Sequence, residues 1–173
     1  GRGPASDATF TQEISEIVKQ SQFRKLEDKV GDPRNRDYAK KMLELGKKYK
    51  GSSLGDLASY EAFNSYKKKK DPAVYQAGEE LLSKHSDSKY AKEVVADLGQ
   101  IAIQSGDYGR AAEYFEKFIS LYPQDPLSRK LIMSAAVLRE NQGDYEKAID
   151  YYRQMNSPLE TVALLMAKAK KWR

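Results

Sequence analysis

Cysteine is absent from this chain, histidine and tryptophan occur once each, and proline only six times in 173 residues. Without cysteine there is no disulfide framework, no thiolate metal site and no cysteine nucleophile. The lone histidine, His85, has no second histidine at helical spacing, which argues against a metal site and reads as a surface residue at a helix end. No apolar run approaches the roughly 20 residues that a membrane-spanning helix needs. The phosphate-cradling and nucleophile-elbow patterns G-x-x-x-x-G-K-[ST], G-x-G-x-x-G and G-x-S-x-G are missing. Carboxylate pairs do occur, Glu79 with Glu80 and Glu113 with Glu116, but in charge-rich stretches without sign of the shaped pocket that acid–base catalysis requires. These absences point away from an enzyme, and no cofactor or metal is implied. Alternating strand patterns and Asn-Gly hairpin signals are lacking as well.

What remains is helical. Apolar residues recur at three and four positions in 38–49 (Tyr38, Met42, Leu45, Tyr49), and likewise in 57–66, 74–82 and 90–103. Phe10, Ile14, Ile17, Val18, Leu26 and Val30 share that spacing, and Thr9 with Gln12 has capping-box separation, so a helix is expected over 9–30. The preceding segment, 1–8, reads like a cloning scar or trimmed linker, from which a signal peptide or lipid anchor could have been removed. Asp32-Pro33, Asp71-Pro72, Asp125-Pro126 and Ser157-Pro158 each look like the opening of a helix, with the polar residue as cap and proline in the first turn. Residues 50–56 form the most flexible-looking break, giving divergent N-terminal helices over 9–50 and a second region over 51–173.

One phrase occurs twice. GDYGRAAEYF at 106–115 returns as GDYEKAIDYY at 143–152, 37 positions later. In each, glycine permits the positive φ that ends one helix and aspartate caps the next. Ala111 and Ala148 then fall where two helices cross most closely. Leu98-Gly99, Ala111, Phe115 and Pro123 in one unit, with Ala135-Ala136, Ala148 and Tyr152 in the next, resemble the tetratricopeptide repeat. The resemblance covers about 90–123 and 127–158, implies a degenerate earlier unit at about 55–86 with its turn at 69–71, and leaves 159–172 as a closing helix. The implied fold is all-α, a right-handed α-solenoid of antiparallel helix pairs. The implied function is non-catalytic: a scaffold that binds a partner protein or peptide along the first helices of its repeats. By repeat position that groove presents Gln100 and Ile103 from one unit and Lys130, Met133, Val137 and Glu140 from the next, with Phe63 and Tyr66 from the degenerate one. ELLSKHSDSKYA and FEKFISLYPQDP are also similar to phrases in bacterial envelope repeat proteins, the outer-membrane-assembly lipoproteins and the Tol-associated coordinators. That likeness implies a periplasmic or envelope setting, although a cysteine-free chain suits the cytoplasm equally.

The formal charge of +5 is uneven. Residues 34–70 hold eleven Lys or Arg against four Asp or Glu, a local excess of +7, ending in the run Lys67, Lys68, Lys69, Lys70. Such a run either complements a helix C-terminus or forms an electrostatic surface for nucleic acid or anionic membrane, where Tyr60, Phe63 and Tyr66 would serve as stacking platforms. A third reading makes the repeats a structural spacer or self-association domain of a longer chain.

Overall fold

Helical spacing becomes helix at nine places in the computed structural model, which describes residues 4–171, and no strand forms among the described residues. Residues 1–3 of the expected leading segment and residue 172 of the expected closing helix lie outside that range. The helices divide into two compact units after Tyr90.

The first unit holds α1 (Pro4–Val30), α2 (Tyr38–Lys48), α3 (Ser53–Lys68) and α4 (Val74–Lys84). α1 starts five residues before Thr9, because nothing from 5 to 30 is glycine or proline and no breaker interrupts it. The expected boundary near residue 50 lies inside a hairpin instead. α2 and α3 pack closely, Gly46 facing Ser59 so tightly that a methyl group would not fit, and Ser52 caps α3 by accepting the Gly55 N–H at 3.1 Å. Met42, Leu57, Phe63 and Leu81 fill the interior with Leu26 of α1. His85 is buried too, against the surface position its sequence context implied: only 2% exposed, its Nδ1 lies 2.7 Å from Asp56 Oδ1.

The second unit holds α5 (Ala91–Gln104), α6 (Tyr108–Leu121), α7 (Pro126–Asn141), α8 (Tyr145–Gln154) and α9 (Leu159–Lys171). Each packs on its neighbour in sequence. Ala111 and Ala148 are wholly buried, and Gly99 sits against the edge of the Phe115 ring with no room for a Cβ. Ala136, Ala148, Ile149, Tyr152, Val162 and Leu165 close the far end of the core.

Turns recur with one hydrogen-bond pattern. The Asp107 N–H donates to Ala102 O at 2.9 Å and the Asp144 N–H to Arg139 O at 2.9 Å, with Gly106 and Gly143 before them at φ 74° and 80°. The Asp71 N–H donates to Tyr66 O at 3.0 Å in the same way, with Lys70 at φ 53° in the glycine's place. Helix ends also repeat. His85 (φ −132°, ψ 48°) and Tyr122 (φ −130°, ψ 59°) terminate α4 and α6 alike, and Ser88 Oγ accepts from Tyr90 N as Asp125 Oδ1 accepts from Leu127 N. The turn between α3 and α4 and the end of α4 thus follow the same backbone course as their counterparts in the second unit.

The proline rule holds at one site of four. Pro126 is the first residue of α7 and Asp125 its cap. After Asp32-Pro33 the helix waits until Tyr38, since the Asp32 carboxylate is taken by the backbone N–H (2.8 Å) and guanidinium (2.7 Å) of Arg34. α4 begins two residues beyond Pro72, and α9 one beyond Pro158.

Candidate functional site

Binding along first helices requires side chains that the packing leaves uncovered. On α7 the residues Leu131, Ala135, Ala136 and Leu138 turn inward and are buried. Helical periodicity then carries Lys130, Met133 and Val137 to the opposite side, one turn apart. Met133 is 49% and Val137 41% exposed, large apolar surfaces that the chain itself does not cover, and Lys130 is exposed beside them. On α5, Gln100 is exposed and Ile103 half-buried one turn further on, while Val94, Val95, Leu98 and Ala102 face the core.

Glu140 differs from its expected companions. It accepts a hydrogen bond from Tyr152 Oη at 3.0 Å and lies 3.8 Å from Lys168 Nζ, so it links α7 to α8 and α9. Burial and that carboxylate together push the Tyr152 hydroxyl up to about 12. Phe63 does not belong to the groove: it is fully buried in the first unit, because its position on α3 faces inward. Tyr66 is half-buried.

A polar network centred on Glu116, which the sequence shows only as one carboxylate of a charge-rich stretch, joins three helices of the second unit. Glu116 on α6 accepts from Arg139 Nε at 3.3 Å and from Arg139 Nη2, and Tyr151 Oη of α8 donates to it at 2.6 Å. Burial disfavours the Glu116 anion, yet the Arg139 and Tyr151 hydrogen bonds outweigh it and hold its pKa below the ordinary carboxylate value. The Tyr151 hydroxyl is pushed upward by burial and by Glu116. Glu116 and Arg139 stand 23 residues apart, a separation with no local pattern to betray it.

The basic region resolves into unlike parts. Lys41 pairs with Asp37 at 3.0 Å, Lys48 lies over the Tyr49 ring at 5.6 Å, and Lys67 over Phe63 at 5.6 Å. Lys68, the last residue of α3, and Lys69 and Lys70 beyond it are exposed. Lys68 and Lys69 line, with Arg34, Phe23, Tyr38 and Glu61, a cleft of about 480 Å³. The expected stacking platform does not form: Tyr60 is stacked on Tyr90, with centroids 4.0 Å apart, and Phe63 is buried. No group of three or more His, Cys, Asp or Glu able to hold a metal ion occurs among the described residues. No described helix is long and apolar enough to cross a membrane.

Two stretches of the second unit match models of the tetratricopeptide repeat, residues 93–125 and residues 131–156. The first spans α5 and α6, the second most of α7 with α8, so matched units and helix pairs coincide. No curated protein matches the chain.

Proposed function

We propose that the chain is a non-catalytic scaffold whose second unit binds a partner protein in extended or helical form along the first helices of its repeats, at Gln100, Ile103, Lys130, Met133 and Val137. Tetratricopeptide repeats generally mediate protein–protein interaction. The observation that carries the reading here is the exposed apolar pair Met133 and Val137 on α7, one turn apart beside Lys130. Apolar anchors flanked by a cation suit a peptide with a hydrophobic residue and a nearby carboxylate. An envelope complex is the setting we favour, on the wording of the helix-ending phrases at 80–91 and 115–126. The test is capture of a partner by the parent and by Met133→Glu/Val137→Glu, with circular dichroism melts as control. The pair of changes should abolish capture and leave the melt within a few degrees. Undiminished capture would remove the groove from the proposal.

A second reading rests on the cleft where Arg34, Lys68 and Lys69 converge. Anionic vesicles or DNA bound there would be released steeply by salt, whereas apolar anchoring on α7 would not be. Lys68→Gln/Lys69→Gln distinguishes the two sites directly.

A further inference from the structure

α1 carries two apolar stripes rather than one. Leu26 and Val30 are buried and Phe23 half-buried, and this part of the helix meets α2 and α3, where Gln22 Nε2 donates to Ser53 Oγ at 2.6 Å. Ile14, Ile17 and Val18, by contrast, are 45%, 62% and 49% exposed, and Phe10 is 49% exposed. At about 100° per residue, the direction of the set 10, 14, 17, 18 lies roughly 170° from that of 23, 26, 30. The two stripes therefore point to opposite sides of one continuous helix, and the side that meets α2 and α3 cannot also bring Ile14, Ile17 and Val18 to them. Along the outward side an acid stands before the apolar residues and two bases directly after them, with the exposed Asp28 a turn beyond. Asp7 precedes the apolar residues; Ser21, Arg24 and Lys25 follow them, all exposed.

We propose that this outward face pairs with the same face of a second copy of the chain, the two α1 helices running antiparallel about a twofold axis near Ser15 and Glu16. In that register Ile14 of one copy meets Ile17 and Val18 of the other. Phe10 lies over Ser21, whose small side chain leaves space for the ring. Asp7 meets Arg24 and Lys25, and the twofold axis makes each contact twice. A parallel pairing would set Asp7 against Asp7, and Arg24 and Lys25 against themselves. Like charges at an interface select against a register as firmly as apolar contact selects for one.

Sedimentation equilibrium of the full chain at low salt, from micromolar to submillimolar, tests this. The mass should climb with concentration from 19.6 kDa towards twice that value. Ile14→Glu/Ile17→Glu should stay at the single-chain mass while keeping the parent's helical dichroism, since neither residue is packed in the core. Asp7→Lys alone and Arg24→Glu/Lys25→Glu alone should each weaken association, and mixing these two variants should restore it, about tenfold tighter than either by itself. A single-chain mass at every concentration overturns the proposal. So does a dimer that survives Ile14→Glu/Ile17→Glu. A mixture that binds no better than its components overturns the antiparallel register.

Discussion

The third helix of the first unit and the opening helix of the second run in register at 36 residues, Tyr66 with Ala102 and Asp71 with Asp107, so that Ala62 falls at the place of Leu98 and Glu61 at that of Asp97. Leu98 is wholly buried. Glu61 is half-buried, and burial pushes its carboxyl above the ordinary range, with Lys19 opposing and Glu27 adding to the effect. The turns differ too, Lys70 standing at positive φ where Gly106 stands in the second unit. So do the helix openings, where Ser88 accepts a hydrogen bond as Asp125 does. Main-chain bonds draw the common outline, and they are indifferent to side-chain identity. Two helix pairs can thus share a backbone course while differing in the side chains along it.

The comparison breaks most sharply at the tightest contacts of the second unit. Gly99→Ala places a methyl group into Phe115, and Ala111→Leu or Ala148→Leu overfills a sealed site. Each should destabilise by roughly 1–3 kcal/mol in denaturant titration. Melts identical to the parent's would show that these helices have room to separate.

Next come two carboxylates whose pKa values are shifted in opposite directions. The folded pKa of Glu116 is lowered, so it stabilises above its unfolded value, and that contribution is lost as pH falls through the folded value. Glu116→Gln should therefore cost about 1–2 kcal/mol at neutral pH, allowing for partial solvent exposure, and converge on the parent in strong acid. The folded pKa of Glu61 is raised, so the parent is penalised as pH rises through that value. Glu61→Gln should melt above the parent at neutral pH and match it below the ordinary carboxylate range. Melting curves that shift in the same direction for both variants would contradict the assignment.

The smallest effect sharpens the likeness of the turns. A lysine at φ 53° bears a strain that glycine does not, offset by glycine's freedom in the unfolded chain. Lys70→Gly should stabilise by about 0.5 kcal/mol, read as a shift of the denaturation midpoint with unchanged slope.

Much of the fold was legible before any coordinates. Helical spacing, the twin Gly-Asp-Tyr turns and the small residues at 99, 111 and 148 follow from local rules, and local rules govern helices and their ends. What periodicity does not say is which face a neighbour covers. Phe10 to Val18 and Leu26 to Val30 share one spacing yet lie on opposite sides of α1, and only the docking of α2 and α3 separates them. Phe63, expected in a groove, is interior, and His85 is sealed beside Asp56. The Glu116–Arg139–Tyr151 network joins residues distant in sequence, so no window along the chain contains it. Within the candidate site, Gln100, Lys130, Met133 and Val137 are exposed, while Glu140 is drawn into contact with α8 and α9.

The brevity of the turns bears on how the molecule assembles. Gly106 and Gly143 each reverse the chain within a few residues, so that α5 meets α6 and α7 meets α8 across loops whose closure costs little entropy. Contacts so near in sequence keep the contact order of each helix pair low, which favours its rapid formation. Each hairpin can serve as a nucleus on which its neighbour condenses, and a lesion in one turn slows the growth of structure there while leaving the other nuclei intact.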